Sequence, residues 1–324
     1  MCQTTHVGVF PGSRSDNRRD GAGPQPLLAS ILFGLPAMVV ICFGCGNSPV
    51  VPTPNPGPTP NPFENLVGPY LGQSPPGDSF AQFAPGVVPG DILHGPTVSP
   101  DGREVYWAAR DGIKVTTMTA DGHWTIPQPV SFGGRPSTSG EDAPVLSPDN
   151  QTLYFTLLTH TGRTGWSFRY SERTASGWSE PRPLPDVINS TGGTHWQVSV
   201  SNSGTLCFGV ASGSGDGIYC SRSAGGTYAT PEPVQAANDL GDVICPFIAP
   251  DESYLLFSRV VSGRSGGHYV CFKGRDDRWL APQRLDRFPP NENTSFVSRD
   301  GRYVFCRCYW ASARIIEDLR PAGW

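Results

Sequence analysis

A chain of 324 residues has room for one large domain or two of medium size. Its 39 glycines and 34 prolines, with 10% aromatic and only 16% charged residues, point to many short strands joined by turns and argue against long helical bundles. The formal net charge of -4 excludes a nucleic-acid binder that works through bulk positive charge.

The first 45 residues read as an export segment. Arg14, Arg18 and Arg19 precede an apolar run from Leu27 to Phe43, whose 17 residues are short for a membrane span and suited to the apolar region of a signal peptide. The run ends at Cys42-Phe43-Gly44-Cys45, and a small residue directly before a Cys resembles the lipobox of bacterial lipoproteins. That resemblance implies lipid attachment at Cys45. The sequence departs from the pattern at Cys42, where the family prefers Leu, and at the bulky Phe43; an uncleaved anchor or plain secretion is the alternative. Residues 46–62 follow with Pro at 49, 52, 54, 56, 58, 60 and 62. Such a stretch favours polyproline II at ~3.1 Å per residue, a semi-rigid tether of roughly 50 Å.

From residue 63 the chain repeats. One four-residue turn recurs as Ser99-Pro100-Asp101-Gly102, Ser147-Pro148-Asp149-Asn150, Ser201-Asn202-Ser203-Gly204, Ala249-Pro250-Asp251-Glu252 and Ser298-Arg299-Asp300-Gly301. Its third residue falls at 101, 149, 203, 251 and 300, giving steps of 48, 54, 48 and 49. Pro is favoured at the second place of a type I turn and Gly at the fourth. Each turn leads into an apolar strand such as Val105-Tyr106-Trp107 or Leu255-Leu256-Phe257. A second marker runs in phase: Trp124, Trp178, Tyr228 and Trp279 each have Pro three residues later. Recurrence at one structural place suggests that these aromatics pack between units.

A unit of about 50 residues with four short strands is a β-propeller blade. The expected fold is all-β, a single propeller of five four-stranded blades over residues 63–324. Six blades result if residues 63–95 form a degenerate one. Strand A precedes the turn, B follows it, C is the next run, and D follows the aromatic-Pro marker. In the fifth copy strand C is expected over Arg314–Ile316, and no marker for strand D is present. An N-terminal strand within Phe83–Val88 is expected to supply it and close the ring.

The Ser-Pro-Asp-Gly turn followed by an apolar-Tyr-Phe strand resembles the WD40-like propeller repeat of the TolB type. The resemblance covers roughly residues 66–322 and implies the fold; it implies an envelope location and leaves function open, because propellers host binding, scaffolding and catalysis alike.

The tight A–B and C–D turns share one face, termed closed. The B–C and D–A connections share the other, open face, and are expected to be long loops, including Leu157–Gly165, Gly209–Gly217 and Val260–His268. Long loops on a rigid scaffold commonly carry binding residues. Entering strand A, each copy brings a polar or aromatic residue toward the channel mouth: His94, Asp142, His195 with Trp196, Asp242 and Glu292. These six are the candidate binding residues for a sugar or cation, set against the plainer role of satisfying strand-A amides. The non-recurring Trp166 and Trp196 are candidates for ligand stacking.

Signatures of catalysis are weak. Ser221–Tyr228 resembles a sialidase Asp box, but Ser223 replaces the Asp and Tyr228 the Trp. Arg135, Arg163 and Arg264 lie in open-face connections with nothing in the sequence to make them converge. No H-E-x-x-H or phosphate loop is present. The six His lack metal-ligand spacing, so no metal or cofactor is expected. Of the six later cysteines, 207, 220, 245, 271, 306 and 308, spacing fixes no pairing; Cys207 with Cys220, across neighbouring strands B and C, is the best-placed pair. The sequence therefore reads as an exported, lipid-anchored monomeric propeller in the bacterial envelope, binding or scaffolding a protein or glycan. A propeller glycoside hydrolase or lyase acting on polysaccharide is the alternative.

Overall fold

The computed structural model describes residue 63 and residues 65–90, 92, 94–158, 165–212 and 215–322. The export segment, the lipobox-like Cys45 and the tether lie outside the described residues, as does Arg163.

Five four-stranded antiparallel blades follow one another along the chain. Blade 1 comprises Thr97–Val98, Glu104–Ala109, Gly112–Thr117 and Gln128–Pro129 as strands A to D. Blade 2 comprises Glu141–Leu146, Thr152–Leu158, Trp166–Thr174 and Arg182–Pro183. Blade 3 comprises Thr194–Val200, Leu206–Ser212, Gly215–Ser221 and Glu232–Pro233. Blade 4 comprises Val243–Ile248, Tyr254–Val261, Arg264–Phe272 and Gln283–Arg284. Blade 5 takes strands A to C from Ser295–Val297, Tyr303–Cys306 and Tyr309–Ser312, and its fourth strand from Ala81–Gln82.

The N-terminal closure is therefore present, two residues upstream of the expected segment. Ala81 pairs with Trp310 and Gln82 with Tyr309, and the Phe83 amide donates to the Cys308 carbonyl at 2.8 Å. The chain then turns at Ala84, in the left-handed region, and both Val87 and Val88 donate back to its carbonyl. Fifth-copy strand C is corrected. It starts at Tyr309, straight after a tight hairpin through Arg307 in the left-handed region, and Arg314–Glu317 forms a short helix that buries Ile315 and Ile316. A second correction concerns the open-face loops. Blades 3 and 4 extend strands B and C into ribbons, pairing Ser212 with Gly215 and Val261 with Arg264, where long loops were expected.

The turns hold as their composition demands. Ser99 Oγ donates to Asp101 at 2.6 Å and accepts from the amides of Arg103 and Glu104; Ser147 repeats this arrangement, and Ser298 Oγ donates to Asp300 and accepts from the Tyr303 amide while the Arg302 amide donates to Asp300. The fourth turn residue has positive φ in every copy: Gly102 70°, Asn150 58°, Gly204 83°, Glu252 61° and Gly301 71°. Gly and Asn fit there without a steric penalty. Glu252 is the exception, held by hydrogen bonds to Ser201, Ser203 and Lys273. Burial raises the pKa of its carboxyl, but those bonds prevail and bring it down to about 2.

Buried side chains form five apolar clusters, one at each blade interface. The recurring aromatics lie in them: Trp178 of blade 2 meets Tyr106 of blade 1, Tyr228 packs with the cluster between blades 2 and 3, and Trp279 with that between blades 3 and 4. Arg173 adds a polar pin between blades 1 and 2, with a two-pronged contact to Glu104 and its guanidinium 4.4 Å from the Trp178 ring centre. Cys207 and Cys220, directly opposed on strands B and C of blade 3, form a disulfide.

Candidate functional site

Strand A of each blade lines the central channel, and its two-residue side-chain period stacks the channel into layers. Counting back four places from the third turn residue gives Thr97, Val145, Ser199, Phe247 and Phe296. Counting back six gives Gly95, Ala143, Gln197, Cys245 and Thr294, and seven gives His94, Asp142, Trp196, Ile244 and Asn293 at the mouth. The strands bulge between these upper positions, as the register shifts at Asp142/Val145, Trp196/Val198 and Ile244/Phe247 show. Ala143 and Cys245, each just before a Pro, take positive φ of 50° and 54° in the bulge.

The mouth joins His94 to Asp142, with Nδ1 and Oδ1 3.1 Å apart. Asp142 also accepts from the Ala143 amide at 2.7 Å. Burial opposes charge on the His94 ring, but the Asp142 carboxylate outweighs it and holds the imidazole above its ordinary range. Asp142 is shifted the other way: burial raises it, while His94 and the Ala143 amide together hold it below the usual carboxylate range. Cys245 sits close enough to feel Asp142 and Asp216, and burial with those two charges pushes its thiol up to about 12, which removes it as a nucleophile.

Trp196 and Trp166 come together with ring centres 6.1 Å apart, both half-buried, and Trp196 Nε1 has no hydrogen-bond partner among the described residues. Asp242 is exposed and accepts from the Asp216 amide at 3.1 Å. Asp216 is raised above the normal carboxylate range by burial and then by Asp242. Glu292 pairs with Arg307 at 3.2 Å, and the Arg307 Nε donates to the Ile92 carbonyl. Burial raises Glu292 despite that partner.

His195 goes elsewhere. It lies between blades 2 and 3, 1% exposed, against Phe168 and Phe208, with Nε2 2.7 Å from Thr191 Oγ1. Burial holds it below its ordinary pKa, as a neutral structural imidazole. Arg135 is committed to Glu141 at 2.8 Å, and Arg264 sits in the blade 4 ribbon. Among the described residues no three His, Cys, Asp or Glu side chains are grouped to hold a metal ion.

Arg299 is the residue sequence reasoning missed. It occupies the second turn place, where the other copies have Pro100, Pro148, Asn202 and Pro250. Freed from that ring, the side chain reaches into the channel from the closed face and donates to the carbonyls of Leu146 and Val200. It thereby ties blade 5 to blades 2 and 3 across the axis. Above it lies a cavity of only about 20 Å³. A cavity of that size does not admit a sugar ring.

The chain enters the propeller on the closed face. Val67 bridges to His123, the Gly68 amide donates to the Gly122 carbonyl at 3.0 Å, and the Tyr70 amide donates to Gly102 at 3.0 Å, all at the turns of blade 1. Tyr70 Oη then reaches Asp300 in the blade 5 turn at 2.7 Å.

No family model and no curated protein matches the chain. Among solved structures it is similar to a putative TolB from Agrobacterium tumefaciens, at 14% identity over 66% of this chain and 68% of that one, with a TM-score of 0.44. It is similar to TolB from Acinetobacter baumannii at 14% identity and a TM-score of 0.43, covering 65% of this chain and 47% of that longer one. A gluconolactonase from Xanthomonas campestris aligns over 75% of this chain and 96% of its own, at 14% identity and a TM-score of 0.42. Likeness of this degree says nothing about activity; the propeller assignment rests on the five blades themselves.

Proposed function

We propose that this chain is an exported, lipid-anchored propeller that binds a glycan or glycan-bearing partner at the cell envelope through its open face. The observation that carries this reading is the half-buried Trp166–Trp196 pair on that face, which bridges blades 2 and 3, the blades that carry Asp142 and Asp216. Aromatic faces stack on sugar rings, and nearby carboxylates accept their hydroxyls. The test is a glycan array with the full mature chain, followed by affinity and turnover measurements on any ligand found. Trp196→Ala and Trp166→Ala should each weaken binding by about tenfold or more, with no product released. Unchanged affinity in both variants refutes the reading.

One observation favours a hydrolase or lyase instead. Asp216, raised by burial and then by the charge of the exposed Asp242, has the character of an acid with a second carboxylate at hand. Product release that Asp216→Asn abolishes while affinity is kept would establish that alternative.

A further inference from the structure

The small cavity inside the channel has a composition that a purely structural filler does not require. Among largely apolar walls of Ala143, Pro144, Val145, Phe247 and Phe296 stand the polar side chains of Thr97, Gln197, Ser199, Thr294 and Ser295, with Arg299 at the floor. Two of the hydroxyls are occupied: Thr97 Oγ1 accepts from the Leu146 amide and Ser199 Oγ from the Ile248 amide at 2.9 Å, so both hydroxyl protons remain to be donated elsewhere. Three further side chains are more than nine-tenths buried with a polar atom that meets no partner among the described residues: Gln197 Oε1, Thr294 Oγ1 and Ser295 Oγ. Burying such groups unpaired costs roughly 1–3 kcal/mol each, so their presence together calls for an occupant.

The charge on the floor determines what kind. Of its five guanidinium donors Arg299 gives one to the Leu146 carbonyl and one to the Val200 carbonyl. No carboxylate lies within ion-pair distance of it among the described residues; Asp149 and the phenols of Tyr154 and Tyr254 act on it only through space. Burial lowers it to about 10. A cationic floor, hydroxyl donors on the walls and an amide whose O and N ends are interchangeable by a flip form a donor-rich cup. Its about 20 Å³ admits one or two water-sized bodies and nothing polyatomic of any size.

We infer that the propeller channel holds a single halide-sized anion between Arg299 and the side chains of Gln197, Thr294 and Ser295. The anion would neutralise the guanidinium that crosses the axis, joining blades 2, 3 and 5 through one centre. This site lies beneath the open-face mouth and is independent of the function proposed there.

Two measurements on the full chain test it. Crystals grown with bromide replacing chloride should give an anomalous peak inside the cup; ordinary water density with no anomalous signal overturns the inference. In solution, melting temperature should rise by about 3–6 °C at a tenfold excess of chloride or bromide over its Kd, compared at constant ionic strength with a large organic anion. Arg299→Met should abolish that rise. Because Arg299→Met also removes two cross-channel hydrogen bonds on which folding draws, Thr294→Val provides a milder variant, expected to weaken the halide response severalfold. An equal halide response in wild type and Thr294→Val, or none in wild type, overturns the assignment.

Discussion

The closure of the ring by the N-terminal segment is testable through Phe83. This side chain is 0% exposed and lies edge-on to Phe305 at 5.0 Å and to Trp310 at 5.1 Å, both on blade 5. Its amide continues the pairing that Ala81 and Gln82 begin. Truncating a fully buried Phe to Ala removes its transfer free energy and leaves a cavity, a loss of about 3–5 kcal/mol. In a folded unit of this size each kcal/mol lowers the melting temperature by about 2–4 °C, so Phe83→Ala should lower it by roughly 6–20 °C. Val67, in the same segment but 54% exposed, is the control, and Val67→Ala should stay within about 0.5 kcal/mol. Thermal unfolding followed by circular dichroism on both variants decides the matter. A Phe83→Ala melting temperature equal to that of Val67→Ala would mean that residues 81–83 do not close the ring.

Two further outcomes follow from the structure. The Cys207–Cys220 bond closes a 13-residue separation, so reduction should cost about 3 kcal/mol, and Cys207→Ala/Cys220→Ala should lose as much while becoming insensitive to reductant; alkylation of both thiols in unreduced, denatured protein would disprove the bond. For the mouth pair, His94 is raised from 6.5, so its contribution to stability is full below that pH and is lost as pH rises through the higher folded value, whereas that of Asp142, lowered from 3.8, is lost only as pH falls through its folded value. His94→Gln should therefore flatten the decline in stability above pH 6.5, and identical pH profiles for variant and wild type would show that the pair is not formed.

Much of the fold was legible because two markers share one period, and each has a local physical cause. The Ser-Pro-Asp-Gly turn recurs because a buried Ser hydroxyl and an Asp carboxylate together satisfy the amides of the corner, and because its fourth residue takes positive φ. The aromatic recurs because every blade must fill the same gap against its predecessor. Where those constraints lapse, reading the sequence failed. Blade 5 replaces the long ribbon of other blades with a hairpin at Arg307, so a strand placed by analogy fell on a helix. Asn189 and Asn238 went unnoticed, although they stand 49 residues apart and each clamps the amide and carbonyl of one strand-C residue, Phe168 and Ile218. Side-chain clamps of this kind have no periodic apolar signal to announce them.

The channel was legible only to the precision of strand parity. Adjacent strand residues face opposite ways, so one place in the count separates a mouth residue from a core residue. Trp196, at the seventh place, is at the mouth beside Trp166; His195, at the eighth, is buried between blades with Phe168. Glu141 obeys the same rule, turning from the axis to bind Ser137 and Arg135 while its neighbour Asp142 meets His94. Chemical type alone would have grouped His195 with His94 and passed over Gln197 and Thr294. Arg299 adds the complementary lesson: one turn place holds Pro in three copies and Asn in another, and the copy that breaks the pattern is the one whose side chain crosses the channel. In a repeat protein the shared residues specify the scaffold, and a polar exception at a position facing the axis is the better guide to chemistry.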